Sequence, residues 1–267
     1  MVVSKGRKGD VGGKMVSVLE VKTGLVSVTS LEDEFYRECL KDERKAVQTA
    51  VKSCEQRILK LRQLKEKFIE MNAFETDLRA QGYQFIAGVD EAGRGPLMGP
   101  VVAGAAILPA NFMLLGLNDS KQLSEAKRDE FYDYIVENAL AWGVGIVGAR
   151  LVDQINIYEA TKVAMTNAIL NLQVIPDYLL LDAMKLKFEC PQESLIKGDA
   201  RSNSIAAASI LAKVTRDRLI KAYAQQYPGY GFEKHMGYGT KEHLAAIEVL
   251  GPTPWHRMTF APLKNLK

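Results

Sequence analysis

Cysteine is scarce in this 267-residue chain. The three present, Cys39, Cys54 and Cys190, form no C-x-x-C pair, which argues against a disulfide framework and a structural zinc site and predicts reduced thiols in a cytoplasmic protein. No unbroken apolar run reaches the roughly 18 residues of a membrane helix, and the Lys- and Gly-containing start lacks the core of a signal peptide. A soluble protein without a membrane partner is expected. Histidine is equally sparse, with three in all. His235, His243 and His256 lack any H-x-x-x-H spacing, so no zinc site is read from them and ordinary surface or loop roles are expected.

Charge of one sign is also missing in bulk, because the formal net charge is only +3. The first 80 residues carry all of it, and the remainder balances acid against base. Composition therefore gives no direct case for a nucleic-acid partner. Divalent cations held by four of the carboxylates would change that, leaving the second segment with a basic surface able to face phosphate.

The chain divides into three stretches. Residues 1–14, rich in Lys and Gly, read as a disordered terminus within a poorly defined segment 1–30. Residues 16–28 alternate like a hairpin turning at Lys22-Thr23-Gly24. From 31 to 80 the composition shifts to Glu, Lys, Arg, Gln and Leu. Val47, Val51, Cys54, Ile58 and Leu61 recur there at steps of four and three, which predicts an amphipathic helix or helix pair. An accessory helix is the simpler reading, and a duplex-gripping arm the alternative.

From 81 to 267 strands and helices alternate, which predicts one α/β domain. Strands are expected over 85–90, 100–108, 141–147, 178–182 and 194–197. Helices are expected over 124–137, 158–172, 202–226 and 240–250, the last capped by Thr240 and stopped by Gly251.

The chemistry concentrates where apolar strands end in acid. Ile86-Ala87-Gly88-Val89 runs into Asp90-Glu91 and then into Gly93-Arg94-Gly95-Pro96. Neighbouring strand residues point to opposite faces, so Asp90 and Glu91 can converge only if Glu91 already lies in the turn. Tyr178-Leu179-Leu180-Leu181 runs into Asp182, the same pattern again. Asp199 follows Lys197-Gly198 and precedes Ser204-Ile205-Ala206-Ala207-Ala208-Ser209, whose small side chains would let a helix approach the sheet closely. Carboxylates gathered from separate strands are what a divalent-cation site for phosphodiester hydrolysis requires, since Mg²⁺ and Mn²⁺ prefer hard oxygen ligands. A dinucleotide fingerprint fits poorly. Gly93, Gly95 and Gly99 are spaced too widely, Pro96 intervenes, and an apolar strand rather than a helix follows.

Taken together, Asp90-Glu91-Ala92-Gly93-Arg94-Gly95-Pro96, Asn118-Asp119-Ser120-Lys121-Gln122-Leu123, Asp182-Ala183, Lys197-Gly198-Asp199, Ser204 to Asp217, Gly237-Tyr238-Gly239-Thr240 and His256-Arg257 resemble bacterial ribonuclease HII. The resemblance implies a ribonuclease H-like fold, with a mixed five-stranded sheet flanked by helices, a helical C-terminal portion and a helical N-terminal extension. It implies a metal-dependent endoribonuclease acting on RNA-DNA hybrids and on the 5′ side of single ribonucleotides in duplex DNA, leaving 3′-hydroxyl and 5′-phosphate ends. Asp90, Glu91, Asp182 and Asp199 correspond to catalytic metal ligands for two Mn²⁺ or Mg²⁺ ions. Gly93, Arg94 and Gly95 correspond to the ribonucleotide-recognising element, Ser120 and Lys121 to a segment near the substrate backbone, and Tyr238 to the tyrosine packing on the deoxyribonucleotide side.

Lys213 and Arg216 are weaker phosphate candidates, and Asp217, between two arginines on a helix, reads as an ion-pair partner. Arg94 and the helical extension set the chain apart from the related ribonuclease HIII pattern. A monomer is expected. A same-fold binding protein without turnover and a DNA-only nuclease are the competing classes.

Overall fold

The computed structural model describes residues 16–265, so the stretch 1–14 lies outside the described residues. The chain forms two compact units, one ending at Lys65 and the other beginning at Glu66.

The first unit holds α1 (Val18–Ser27), α2 (Glu34–Cys39) and most of α3 (Lys45–Met71). The hairpin read at 16–28 is a helix. Ser17 and Glu20 form a reciprocal capping box, which satisfies the first free amides and starts the helix at once. Val21, Leu25 and Val28 then bury at helical steps. Gly24 is no turn residue: it lies in α1, where an added Cβ would sit 2.5 Å from the Phe35 ring. Val47, Val51, Cys54 and Ile58 bury as the spacing requires, whereas Leu61 is exposed. Arg57 donates to the carbonyls of Leu25 and Val28 and so closes the end of α1.

In the second unit, α4 (Ala73–Ala80) precedes a five-stranded sheet of β1 (Ile86–Ala92), β2 (Val101–Ile107), β3 (Ala141–Val147), β4 (Tyr178–Asp182) and β5 (Gln192–Leu195). The spatial order is β3-β2-β1-β4-β5. β1 pairs antiparallel with β2 and parallel with β4, and β4 pairs parallel with β5. β5 ends before the expected Lys197 because that residue turns into the left-handed region at φ 55°.

Helices cover both faces. Odd-numbered β1 and β2 residues such as Val89, Ala103 and Ala105 pack with α6 (Ala149–Leu170) through Ala164, Met165 and Ala168. α6 begins earlier than the expected 158 and breaks at Asn156, whose φ is 67°. The Asn156 side chain accepts from the amides of Tyr158 and Glu159, and so acts as a second N-cap at the place where the sequence predicts the helix to start.

On the other face lie α5 (Glu125–Asn138) and α7 (Asn203–Gln226). The run of small residues on α7 does what its composition predicts. A Cβ on Gly88 would lie 2.0 Å from the Ser204 carbonyl carbon, and one on Gly104 would lie 2.3 Å from the Ala208 oxygen. Strand backbone and helix backbone therefore touch without a side chain between them. Buried Glu75 on α4 fixes the start of α7, accepting from the Ser202 hydroxyl and from the amide and hydroxyl of Ser204 at 2.7–2.9 Å. The C-terminal portion contains α8 (Phe232–His235) and α9 (Lys241–Leu250). No helix among the described residues is long and apolar enough to cross a membrane.

Candidate active site

Sheet register brings the first two acids together. β1 and β4 run parallel with Val89 opposite Leu181, so Asp90 and Asp182 come next at the carboxyl ends of neighbouring strands, which lie about 4.8 Å apart. Asp199 arrives from beyond β5 in a 3-10 turn, Gly198–Ala200. That turn is tied to β4 by the Gly198 amide, which donates to Asp182 Oδ1 at 2.7 Å. A Cβ on Gly198 would lie 2.6 Å from Ile205 and 3.3 Å from Asp182 Oδ1, so glycine permits the approach. One carboxylate oxygen from each of Asp90, Asp182 and Asp199 lies within 4.8 Å of the others.

The fourth acid stands apart. Glu91 stays in β1, paired with Ala103, instead of entering a turn, and is not among the three close oxygens, yet it lies near enough to Asp90 to raise that carboxyl. Its Oε1 accepts from Arg94 at 3.2 Å, while its Oε2 is buried without a hydrogen-bond partner.

Burial, reinforced by Glu91 and Asp182, pushes the Asp90 carboxyl well above the usual range, although hydrogen bonds from Ser209 and the Glu91 amide oppose the rise. Burial raises Glu91 against the pull of Arg94. Asp199 is raised by burial and by Asp119 and Asp182. Lys121 responds to the same field: burial works against its charge, but Asp119, Asp90 and Asp199 together hold its pKa above the ordinary lysine value. The cluster is short of positive charge, and all its donors are oxygen. That donor set, with an orphaned carboxylate oxygen beside it, fits a hard divalent cation.

Two buried arginines hold the glycine loop beside the cluster. Arg257 donates to the carbonyls of Gly93, Arg94, Pro96 and Gly99 at 2.7–3.0 Å. Arg216 donates to those of Met98, Pro100 and Met236 at 3.1 Å. Burial, with Arg216 nearby, brings the Arg257 pKa down to about 9, so it remains charged at neutral pH. Arg216 is thus no phosphate ligand, correcting its reading as a weaker phosphate candidate, and a Cβ on Gly93 would lie 2.1 Å from its Nε.

Gly95 differs. Its added Cβ would meet only Tyr238, at an ordinary 3.6 Å. The fold itself does not require glycine there.

The remaining candidates occupy three kinds of position. Tyr238 is 47% exposed, and Arg94 is exposed apart from its bond to Glu91. Lys121 is exposed. Ser120 is buried, its hydroxyl 2.9 Å from that of Ser209, which places it behind the surface. Lys213 bonds to Asp217 at 2.7 Å. Asp217 is an ion-pair partner as expected, but a buried one, with Lys213 and Arg128 rather than its neighbouring arginines.

Sequence reasoning missed Ser209, the carbonyl-binding role of Arg216 and Arg257, and the histidines. His235, His243 and His256 are all buried and form one cluster, which corrects the surface expectation; His235 and His243 lie in helices, and only His256 lies in a loop. The signal in the sequence was the set of glycines they serve, at Gly93, Gly99 and Gly237, which imply close backbone approach.

Family models match two parts of the chain: Ribonuclease HII over residues 87–263, and Ribonuclease HII N-terminal domain over residues 17–79. The chain belongs to the ribonuclease HII family. As a member it is an endoribonuclease of ribonuclease H type 2. Ribonuclease HII of Bacillus licheniformis is 55% identical over 251 residues, covering 94% of this chain and 98% of that protein. Among solved structures, the ribonuclease H2 from Pyrococcus horikoshii matches with a TM-score of 0.59 at 28% identity, covering 68% of this chain and 96% of the other. The ribonuclease HII in the PCNA complex from Archaeoglobus fulgidus matches with a TM-score of 0.57 at 25% identity, covering 66% and 95%. The sheet order and flanking helices are those of a ribonuclease H-like fold.

Proposed function

We propose that this ribonuclease HII cuts the RNA strand of RNA-DNA hybrids and cuts 5′ of single ribonucleotides in duplex DNA, leaving 3′-hydroxyl and 5′-phosphate ends. The observation that carries the reading is the triad of aspartate oxygens within 4.8 Å, beside a glycine, Gly95, whose place in the fold would tolerate a side chain. Asp90, Asp182 and Asp199 are the residues that would hold Mn²⁺ or Mg²⁺ ions, with Glu91 as a fourth oxygen donor. When bound, a pair of such cations supplies an activated water and compensates charge on the departing 3′-oxygen.

The chain's own groups do the rest. The main chain at Gly93–Gly95 approaches the 2′-hydroxyl, the group that distinguishes RNA from DNA, with no Cβ at Gly95 to hold the sugar away. Arg94 and Lys121 meet phosphates, Lys121 as a point charge. Tyr238 packs its ring on the sugar of the neighbouring deoxyribonucleotide. Ser120, being buried, supports the Lys121 turn through Ser209. Residues 81–267 are the catalytic part in this reading, acting as a cytoplasmic monomer that removes ribonucleotides from the genome.

The test is a duplex carrying one ribonucleotide beside its all-DNA twin, in Mn²⁺ or Mg²⁺. Cleavage of the first alone, 5′ of the ribonucleotide, is expected. Equal cutting of both, or of neither, contradicts the proposal.

A further inference from the structure

A continuous hydrogen-bond chain ends on the main chain of Tyr238. The Thr253 amide donates to His256 Nδ1 at 2.8 Å, so that nitrogen is an acceptor and the neutral ring carries its proton on Nε2. His256 Nε2 lies 3.0 Å from His243 Nε2. His243 Nδ1 lies 2.8 Å from the Tyr238 carbonyl, which can only accept. His243 therefore accepts at Nε2 and donates at Nδ1. One neutral tautomer at each ring satisfies every bond.

His235 braces the same turn. Its ring stacks on His243 with centroids 4.5 Å apart, and its Nδ1 accepts from the Gly237 amide at 3.3 Å. The glycines on either side leave no slack. A Cβ on Gly237 would lie 2.7 Å from the Met98 oxygen, and one on Gly239 would lie 2.9 Å from Leu97. An exposed tyrosine is thus mounted on a buried, fully bonded base.

We propose that the His256–His243 relay is a positioning device that fixes where Tyr238 presents its ring beside Gly95, and so sets how tightly the site holds the nucleotide next to the ribonucleotide. The inference rests on the reading of Tyr238 as a substrate-packing residue. A charged ring would need a donor where each relay nitrogen now accepts. Burial keeps both rings neutral, holding His243 below the ordinary imidazole value and His256 at about 4.

The test measures KM and kcat of the full chain on a duplex with one ribonucleotide, with circular dichroism and thermal melting to verify folding. His243→Leu is expected to raise KM about fivefold, the worth of one hydrogen bond, with kcat changed by less than about twofold. His243→Asn keeps an N–H within reach of the same carbonyl and should recover most of the loss. In a Tyr238→Ala background, His243→Leu should add nothing further, because the two act through one contact.

A folded His243→Leu with unchanged KM, or an effect that multiplies with that of Tyr238→Ala, overturns the relay while leaving the tyrosine reading intact. If Tyr238→Ala alone leaves KM unchanged, the reading of Tyr238 fails, and the relay's purpose with it. Should the Leu variant not fold, imidazole nitrogen shifts in the wild-type chain decide. Nδ1–H at His243 with Nε2–H at His256 is required, and either opposite tautomer overturns the relay.

Discussion

Asp90 shows how a single residue gains reactivity from its setting. Buried at the end of β1 with Glu91 and Asp182 near it, it holds its proton well above the usual range, a state that a nearby cation would reverse. Asp90→Asn keeps the shape and removes the charge. Cleavage should fall about a thousandfold, while duplex affinity by fluorescence anisotropy stays within about threefold. Turnover near the wild-type level would remove Asp90 from the site. The buried arginines show the opposite economy, since Arg257 spends its charge on four carbonyls. From sequence neither Arg216 nor Arg257 could be assigned this role, because nothing in the local pattern reveals that most of their partners are backbone oxygens more than 100 positions away.

At the scale of elements, α7 and the central strands meet backbone to backbone. Gly88→Ala should cost about 3 kcal/mol or more, because the new Cβ would collide with the Ser204 main chain rather than with a movable side chain. Urea unfolding measures it, and a loss under about 0.5 kcal/mol would show that the contact is softer than the geometry implies. Strands β1, β3 and β4 were legible because their apolar runs end in acid or glycine, and the close helix approach was legible in the small residues from Ser204 to Ser209. The stretch 16–28 was not. Its valines fit a period of two as well as steps of three and four, and the deciding evidence, the Ser17–Glu20 cap and burial against α3, is partly tertiary. The histidines failed for a related reason: a cluster assembled from three loop and helix positions has no spacing rule to betray it.

For the molecule as a whole, the His256 ring links stability to pH. Its folded pKa of about 4 lies below the ordinary 6.5, so the unfolded chain binds a proton that the folded chain refuses. Its contribution is fully present above pH 6.5 and is lost as pH falls toward 4. Asp90, Glu91 and Asp199 act in the opposite sense, since their raised values favour the folded state at lower pH. The comparison is therefore wild type against His256→Gln. The wild-type advantage in unfolding free energy should shrink by about 2 kcal/mol between pH 6.5 and 4.5, and a constant difference would mean that His256 titrates normally in the fold.

Three of the four acids named from sequence converge, and register explains why: parallel pairing sets Asp90 beside Asp182, and the Gly198 turn carries Asp199 to them. Glu91 could not be placed from sequence, because its position depends on where β1 stops. The central claim is that these separated acids form one cation cradle. Anomalous diffraction from crystals of the protein grown with Mn²⁺ and a duplex containing one ribonucleotide tests it most directly. The account predicts manganese peaks ligated by Asp90, Asp182 and Asp199 beside the scissile phosphate; manganese bound elsewhere, with those three carboxylates free, would contradict it.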